Sequence, residues 1–436
     1  MKIFISRFKE ILIFGILILI ICSGCGTKTG QVAELQPTQI PTEVIPEIVQ
    51  EESVSQWVKY YNEGQENSSR DIITIADSGF LIVGGIGQFQ QSDTIGGIMV
   101  LRTAVNGNLL WQEVYGGEGY DYGSAVLETQ DMGYIIAGET TSFGIEGISG
   151  YVIKVDESGQ LIWSKIFDGE FNEVFNSILP SFDDSYYLIG NIVDPNDIIT
   201  DPGQPGYTGF AGRSNIHIVK LDQDGNQEWA QTFESELNMI ASEGILSTEG
   251  NIYILASVIK YPEKDGDLIL LKYNQNGEQI WTRTWEDGSL AGYALAQDLE
   301  GNIIITGMST PEDNSTPDVF LLKVDPNGNE MWYTTHGTTH SYEMGIDIVV
   351  TSNGNYAILY AAFPDWYSQK SSYTILFMSP DASIIKGLNI ELGISVKTAS
   401  LHNHPLGGLL ITGGENSPIG ISRTFLMWIA DDGSKN

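Results

Sequence analysis

A unit of about fifty residues returns along most of this chain, and that periodicity limits the possible folds more than any other feature. Its clearest copy reads Asp131-Met132-Gly133-Tyr134-Ile135-Ile136-Ala137-Gly138, then a variable loop, then Tyr151-Val152-Ile153-Lys154-Val155-Asp156, then Gly159 and Trp163. The second half recurs at Ile216–Trp229, Leu268–Trp281 and Val319–Trp332, with an earlier copy at Met99–Trp111. Trp57, Trp111, Trp163, Trp229, Trp281 and Trp332 follow one another at intervals of 54, 52, 66, 52 and 51 residues, a single period with one insertion. Two degenerate copies follow, one with Ala382 and Lys386 at the glycine and tryptophan positions, the other running from Thr424 to Gly433. The copies total seven.

Each copy offers a weak strand, an apolar strand, an alternating strand, a turn with Asp or Asn ahead of Gly, and a strand holding the tryptophan. Short strands punctuated by such turns, without helical periodicity, make four-stranded antiparallel sheets. The expected fold class is therefore all-β, a seven-bladed β-propeller. The seventh copy stops at its turn and lacks a tryptophan strand, whereas Gln56-Trp57-Val58-Lys59-Tyr60-Tyr61 resembles Ile162-Trp163-Ser164-Lys165-Ile166-Phe167 and precedes the first copy. Pairing the N-terminal strand into the last blade would close the ring and remove an open sheet edge.

The string Lys-Val-Asp, two residues, Gly, three residues, Trp resembles the PQQ-like (quinoprotein-type) propeller repeat, and the unit is similar to the tandem repeats of bacterial cell-surface lipoproteins. The resemblance spans residues 55–433 and implies the fold. Propellers host enzymes, binders and scaffolds alike, so function must come from the site. The scaffold of β-barrel assembly in this class has eight blades against seven here. Its dehydrogenases need vicinal cysteines or a calcium-and-aspartate site, and neither is found by motif.

The N-terminus supplies the location. Lys2, Arg7 and Lys9 precede the apolar run Ile11–Ile21 and then Cys22-Ser23-Gly24-Cys25, the order of a secretory signal. Ser23-Gly24-Cys25 resembles a lipobox, so cleavage after residue 24 would leave Cys25 joined to diacylglycerol. Cys22 and Cys25 are the only cysteines, and disulfides and thiol chemistry are then excluded from the mature chain. Residues 1–24 form the signal peptide. Residues 25–52, a Pro- and Thr-rich stretch without apolar periodicity, form a disordered tether. Residues 53–436 form the propeller. The expected location is extracytoplasmic, lipid-anchored to the cell membrane or outer membrane, and Gly26 after the cysteine points to the outer one. Removing residues 1–24, whose net charge is +2, takes the formal charge from −35 to −37. That excludes nucleic acid as a partner and favours a monomer.

Loops joining one blade to the next share a face with those joining the second and third strands of a blade, and sequence variation concentrated there marks a binding face. The insertion of the third repeat lies there with Asp194, Asp197, Asp201, Tyr207 and Phe210, and Phe143, Trp285, Trp366 and Tyr367 are rings in predicted loops outside the repeat pattern. Asp121, Glu173 and Glu343 fall at one aligned position near the channel mouth, a candidate Ca²⁺ set set against ordinary turn capping. His336 and His340 beside Glu343, and His402 with His404, are weak zinc candidates in non-helical context. The recurring Lys154, Lys220, Lys272 and Lys323, with Arg102 in register, serve the blade, covering apolar surface and reaching carboxylates of a neighbour, and the repeated tryptophans pack between blades. No nucleophile, base and orienter constellation emerges, so no catalytic residue and no cofactor is assigned. The expected function is a binding or scaffold module for a protein or glycan. The alternative is a periplasmic or cell-surface hydrolase, lyase or quinoprotein-like dehydrogenase working at the central channel through acids such as Asp121 and Glu343.

Overall fold

The structure, a computed structural model, describes residues 56–430 apart from 63–64, 91–92, 145–146, 170, 195–212, 236–237, 260–265, 286–288, 312–315, 339, 365–370, 391–395 and 417–421, and apart from the side chains of 88–90, 93–95, 259, 289, 396–398 and 416. Its strands form seven four-stranded antiparallel sheets, and no helix occurs among the described residues. Blade 1 spans residues 66–115, blade 2 121–167, blade 3 172–233, blade 4 238–285, blade 5 289–336 and blade 6 342–390. In each the four strands follow chain order, the first lying against the first strands of both neighbours around the axis and the fourth at the rim. Blade 7 takes three strands from Val396–Ile429 and its rim strand from Gln56–Tyr61, which pairs antiparallel with Ser422–Ile429 so that Trp57 faces Trp428. The first and last described strands meet in one sheet, as the missing tryptophan strand required.

The core is divided seven ways, and each cluster lies between two neighbouring blades. Leu81, Val83 and Val100 of blade 1 meet Ile136 and Ile153 of blade 2, and Phe80, Ile82 and Leu101 of blade 1 meet Leu410 and Leu426 of blade 7. No blade buries both faces by itself, so each depends on two neighbours for the hydrophobic stabilisation, about 25 cal/mol per Å² of apolar surface, that holds it folded.

The third and fourth strands join through one turn. Asp156 Oδ1 accepts from the Ser158 and Gln160 N–H groups, and Asp222, Asn274 and Asp325 do the same in blades 3, 4 and 5. The glycine of that turn has positive φ, +77° at Gly225, and it carries the tryptophan of the preceding blade. A Cβ on Gly225 would stand 2.7 Å from the Trp163 ring, one on Gly107 2.5 Å from Trp57, and one on Gly277 2.9 Å from Trp229. Turn and tryptophan therefore recur together because each blade's rim strand lies on the next blade's turn. In blade 6, where Ala382 replaces the glycine at φ 68°, Trp332 Nε1 still donates to the Pro380 carbonyl, at 3.2 Å.

The recurring cations serve the blades, with one correction: for four of the five the carboxylate belongs to the same blade and not to a neighbour, while Lys272 reaches the next blade at the Pro326 carbonyl, at 2.9 Å. Lys154 meets Asp131 at 2.7 Å, Lys220 meets Asp183 at 2.7 Å and Lys323 meets Asp298 at 2.8 Å, while Arg102 pairs with Asp77. The carboxylate sits in the turn between the first two strands and the cation comes from the third, so the pair crosses the sheet beneath the turn.

Candidate functional site: the axial channel and the variable-loop face

The first strand of every blade turns a free edge to the axis, where its N–H and C=O groups have no strand to pair with. In six blades this strand bulges at one place, with Arg70, Ser124, Asn176, Ser242, Tyr293 and Ile346 as the extra residues. The seventh blade shifts register nearer its strand's start, between Val396 and Thr398.

Side chains at and just after the bulge satisfy the edge of the next blade. Asn176 Nδ2 donates to the Ala241 carbonyl at 2.8 Å, and Ser242 Oγ donates to the Gly292 carbonyl at 2.6 Å. One residue after the bulge, Asp71 accepts from Val126 N–H at 2.9 Å, Ser177 from Gly244 N–H at 3.0 Å, Glu243 from Leu295 N–H at 2.9 Å and Asp347 from Leu401 N–H at 2.7 Å. Asp71 and Asp347 also accept from the following residue of their own strand, each at 2.7 Å. Side chains thus replace the missing ladder partner around the axis.

Three of these acceptors are half-buried carboxylates on the axial strands. Burial pushes Asp71 up to about 6 and Asp347 up to about 6, the N–H donors only partly opposing it. Burial, and then the charge of Asp347, raise Glu243 well above the ordinary carboxylate range. The Arg70 guanidinium lowers all three, so it lies within electrostatic reach of each. None of the three was marked in the sequence, because the position reads Asp, Ala, Ser, Glu, Ala, Asp in blades 1–6 and so looks unpatterned.

The acids that were marked lie on the face of the blade-to-blade links. Asp121, Glu173 and Glu343 occupy equivalent positions, opposite Thr140, Ile192 and Ala362. Their blades are the second, third and sixth, and among the described residues no three His, Cys, Asp or Glu side chains come together as a metal cage. Asp121 is fully buried and accepts from Ser142 Oγ at 2.7 Å, from Gly117 N–H at 2.8 Å and from Thr140 Oγ1. Glu343 accepts from Thr338 Oγ1 at 2.7 Å, and burial pushes it up to about 7. Burial, then the Asp168 charge, raise Glu173. Glu139, beside this set and missed in the sequence, is 6% exposed, and burial pushes it up to about 7.

The histidines are held by packing. His336 meets the Tyr360 ring edge-on at 5.5 Å, and burial lowers it. His404 sits between Phe80 and Trp428 and contacts the Val105 carbonyl at 3.2 Å, while burial takes His402 down to about 4. His340 is an exposed turn residue.

Asp194 ends the second strand of blade 3 and faces Arg213 across the sheet. With Phe171, Ile192, Asn215, Thr232, Glu234 and Ser235 the two line a cleft of about 510 Å³. Asp197, Asp201, Tyr207 and Phe210 belong to the insertion that continues from this strand, and with Trp366, Tyr367 and Cys25 they lie outside the described residues. Phe143 packs on Tyr151, ring centroids 5.4 Å apart. Trp285, expected in a loop, closes the rim strand of blade 4 opposite Leu268 and packs on the core between blades 4 and 5.

No family model matches the chain, and no curated protein matches it. Among solved structures it is similar to a protein of unknown function from Dyadobacter fermentans (9% identity over 86% of this chain and 98% of that one, TM-score 0.49). It is also similar to Sqt1 from Chaetomium thermophilum (12%, 87% and 87%, TM-score 0.49) and to a sialidase from Trypanosoma rangeli (8%, 74% and 56%, TM-score 0.42). At these levels no activity passes from them to this chain.

Proposed function

We propose that this propeller is an extracytoplasmic binding module, held to a membrane through a lipid on Cys25, that takes a protein or glycan ligand on the face of the blade-to-blade links. The observation that carries the reading is the cleft of about 510 Å³ at the root of the longest insertion, where an aromatic ring, a guanidinium, two carboxylates and an amide converge. Such a mixture suits a ligand with apolar faces and polar edges, and the ring at Phe171 offers a stacking surface. The axial carboxylates are already engaged in joining the blades, which suits a rigid scaffold. Kinship to PQQ-like repeats belongs to the same reading.

Glycan and peptide arrays probed with the purified mature chain test it. Any ligand found should lose at least tenfold in affinity with Phe171→Ala, Arg213→Ala or Trp366→Ala, and unchanged affinity in all three removes the proposal. Mass spectrometry of the membrane-extracted protein should show a diacylglyceryl group on residue 25, lost in Cys25→Ser.

One observation favours the enzymatic alternative: Asp71 and Asp347 sit near pKa 6 in the channel, in the range a general acid or base needs. Stoichiometric Ca²⁺, a quinone absorbance, or a hydrolytic activity abolished by Asp71→Asn would establish it in place of the binder.

A further inference from the structure

The opposite face, which carries the turns within blades, has a composition of its own. Among the described residues every exposed large apolar side chain except Val114 and Ile166 emerges there. Leu110, Ile162, Ile280 and Met331 stand just before the tryptophans where the rim strands begin, each between 49% and 58% exposed. Phe182, Leu299 and Leu406 project from the turns between first and second strands at 65%, 77% and 73%. Scattered exposed apolar residues mean little, but a concentration on one face marks a contact surface.

Charge on this face is unequal. Lys165 and Arg283, half-buried, are held by Asn226 Oδ1 and the Asn327 carbonyl in the turns of the following blades. Four further cations are buried: the side chains of Arg102, Lys154, Lys220 and Lys323 are 6%, 9%, 10% and 3% exposed. Three of their carboxylate partners, Asp77, Asp131 and Asp183, are 65%, 56% and 58% exposed. Asp184 follows Phe182 and Asp183, and Glu300 follows Leu299, both exposed. The apolar tips therefore stand among exposed carboxylates, while the cations of this face are buried or held against the turns.

We infer that this turn face docks a basic amphipathic protein segment, one presenting lysine or arginine around an apolar stripe. Charge decides among occupants. A second copy would set carboxylates against carboxylates, and an anionic bilayer would be repelled in the same way. A segment bearing cations beside Leu- or Ile-type side chains satisfies both features at once, and charge steering speeds its encounter.

The test uses the full mature chain and a synthetic eighteen-residue amphipathic peptide of leucine and lysine, with two controls, Glu in place of every Lys and Ser in place of every Leu. Fluorescence anisotropy should show saturable binding of the Leu/Lys peptide alone, at least tenfold weaker in Phe182→Ser/Leu299→Ser/Leu406→Ser and weaker again as salt rises. Asp184→Asn/Glu300→Gln, which leaves the apolar tips in place, should also weaken it, whereas Val114→Ser/Ile166→Ser should not. Equal binding of either control peptide, or binding by the triple variant within twofold of the parent, overturns the inference. So does dimerisation, or adsorption to phosphatidylcholine vesicles, that the triple variant abolishes, since it assigns the face to another occupant.

Discussion

Replacing Lys323 by methionine should destabilise the propeller far more than the same change at Lys154, although the two lysines occupy equivalent positions. Lys323 and Asp298 are 3% and 5% exposed, 2.8 Å apart, and both reach the Tyr356 hydroxyl, at 3.0 and 3.2 Å. Lys154 is 9% exposed, but its partner Asp131 is 56% exposed and keeps its water. Methionine preserves the stem that lies along the neighbouring ring and removes only the charge. Lys323→Met then leaves a carboxylate buried without a cation, which costs about 3–5 kcal/mol. Lys154→Met leaves one that solvent still screens, which costs about 1 kcal/mol or less. Burial pushes Asp298 up, but hydrogen bonds from Lys323 and Asn302 outweigh it and hold the group below its ordinary value. The stabilisation is therefore fully present above the unfolded carboxylate range and lost as pH falls through the lowered folded value. Urea unfolding followed by tryptophan fluorescence reads both variants, and Lys323→Met/Asp298→Leu should recover most of the loss. Equal losses at the two lysines, or no recovery in the double variant, would refute the argument that burial sets the strength of these pairs.

Gly225→Val places a branched side chain at φ +77° and drives its Cβ to 2.7 Å from Trp163, so a loss of at least ~2 kcal/mol, with a shift in tryptophan emission, is expected in thermal melts. Asp347→Ala strips an acceptor from the Leu401 and Ile348 N–H groups, and a cost of about 2 kcal/mol should appear in urea denaturation. Glu139 is raised by burial to about 7 from 4.5, so between those values the folded state holds a proton that the unfolded state has released. Stability should then fall as pH rises from about 4.5 to about 7, by up to ~3 kcal/mol, and level off above; urea midpoints across that range should lose this slope in Glu139→Gln. Removing residues 53–61 opens the edge of the Ser422–Ile429 strand, and light scattering should show association that a synthetic peptide of residues 55–62 suppresses.

Ring, blade count and closing strand were legible because each rests on periodicity, and Trp57 betrays its blade by keeping the interval that Trp111 and Trp163 keep. The tryptophan's partner was less legible, since the glycine it covers lies in the next repeat and not in its own. The axial stitching escaped because it is a rule about acceptors and not about one residue type: Asp71, Ser177, Glu243 and Asp347 do one job with three residue types, while Ala125 and Ala294 stand at the same position. The reach of the lysines was misjudged for a related reason. A strand-to-turn pair such as Lys154 with Asp131 is 23 residues apart in one repeat, and sequence spacing alone does not separate that from a contact to the blade beside it. Of the marked acids, Asp121, Glu173 and Glu343 were aligned correctly, yet alignment within a repeat places equivalent residues on different blades and thereby keeps them apart.

The rim strand of the seventh blade has a mechanical role by virtue of where it sits. Any pull on the polypeptide preceding Gln56 passes first into Gln56–Tyr61, and from there into its hydrogen bonds with Ser422–Ile429. Load would not spread over seven blades but fall on one short seam, and yielding there would unlatch the whole circle, felt first as loss of the Trp57–Trp428 contact.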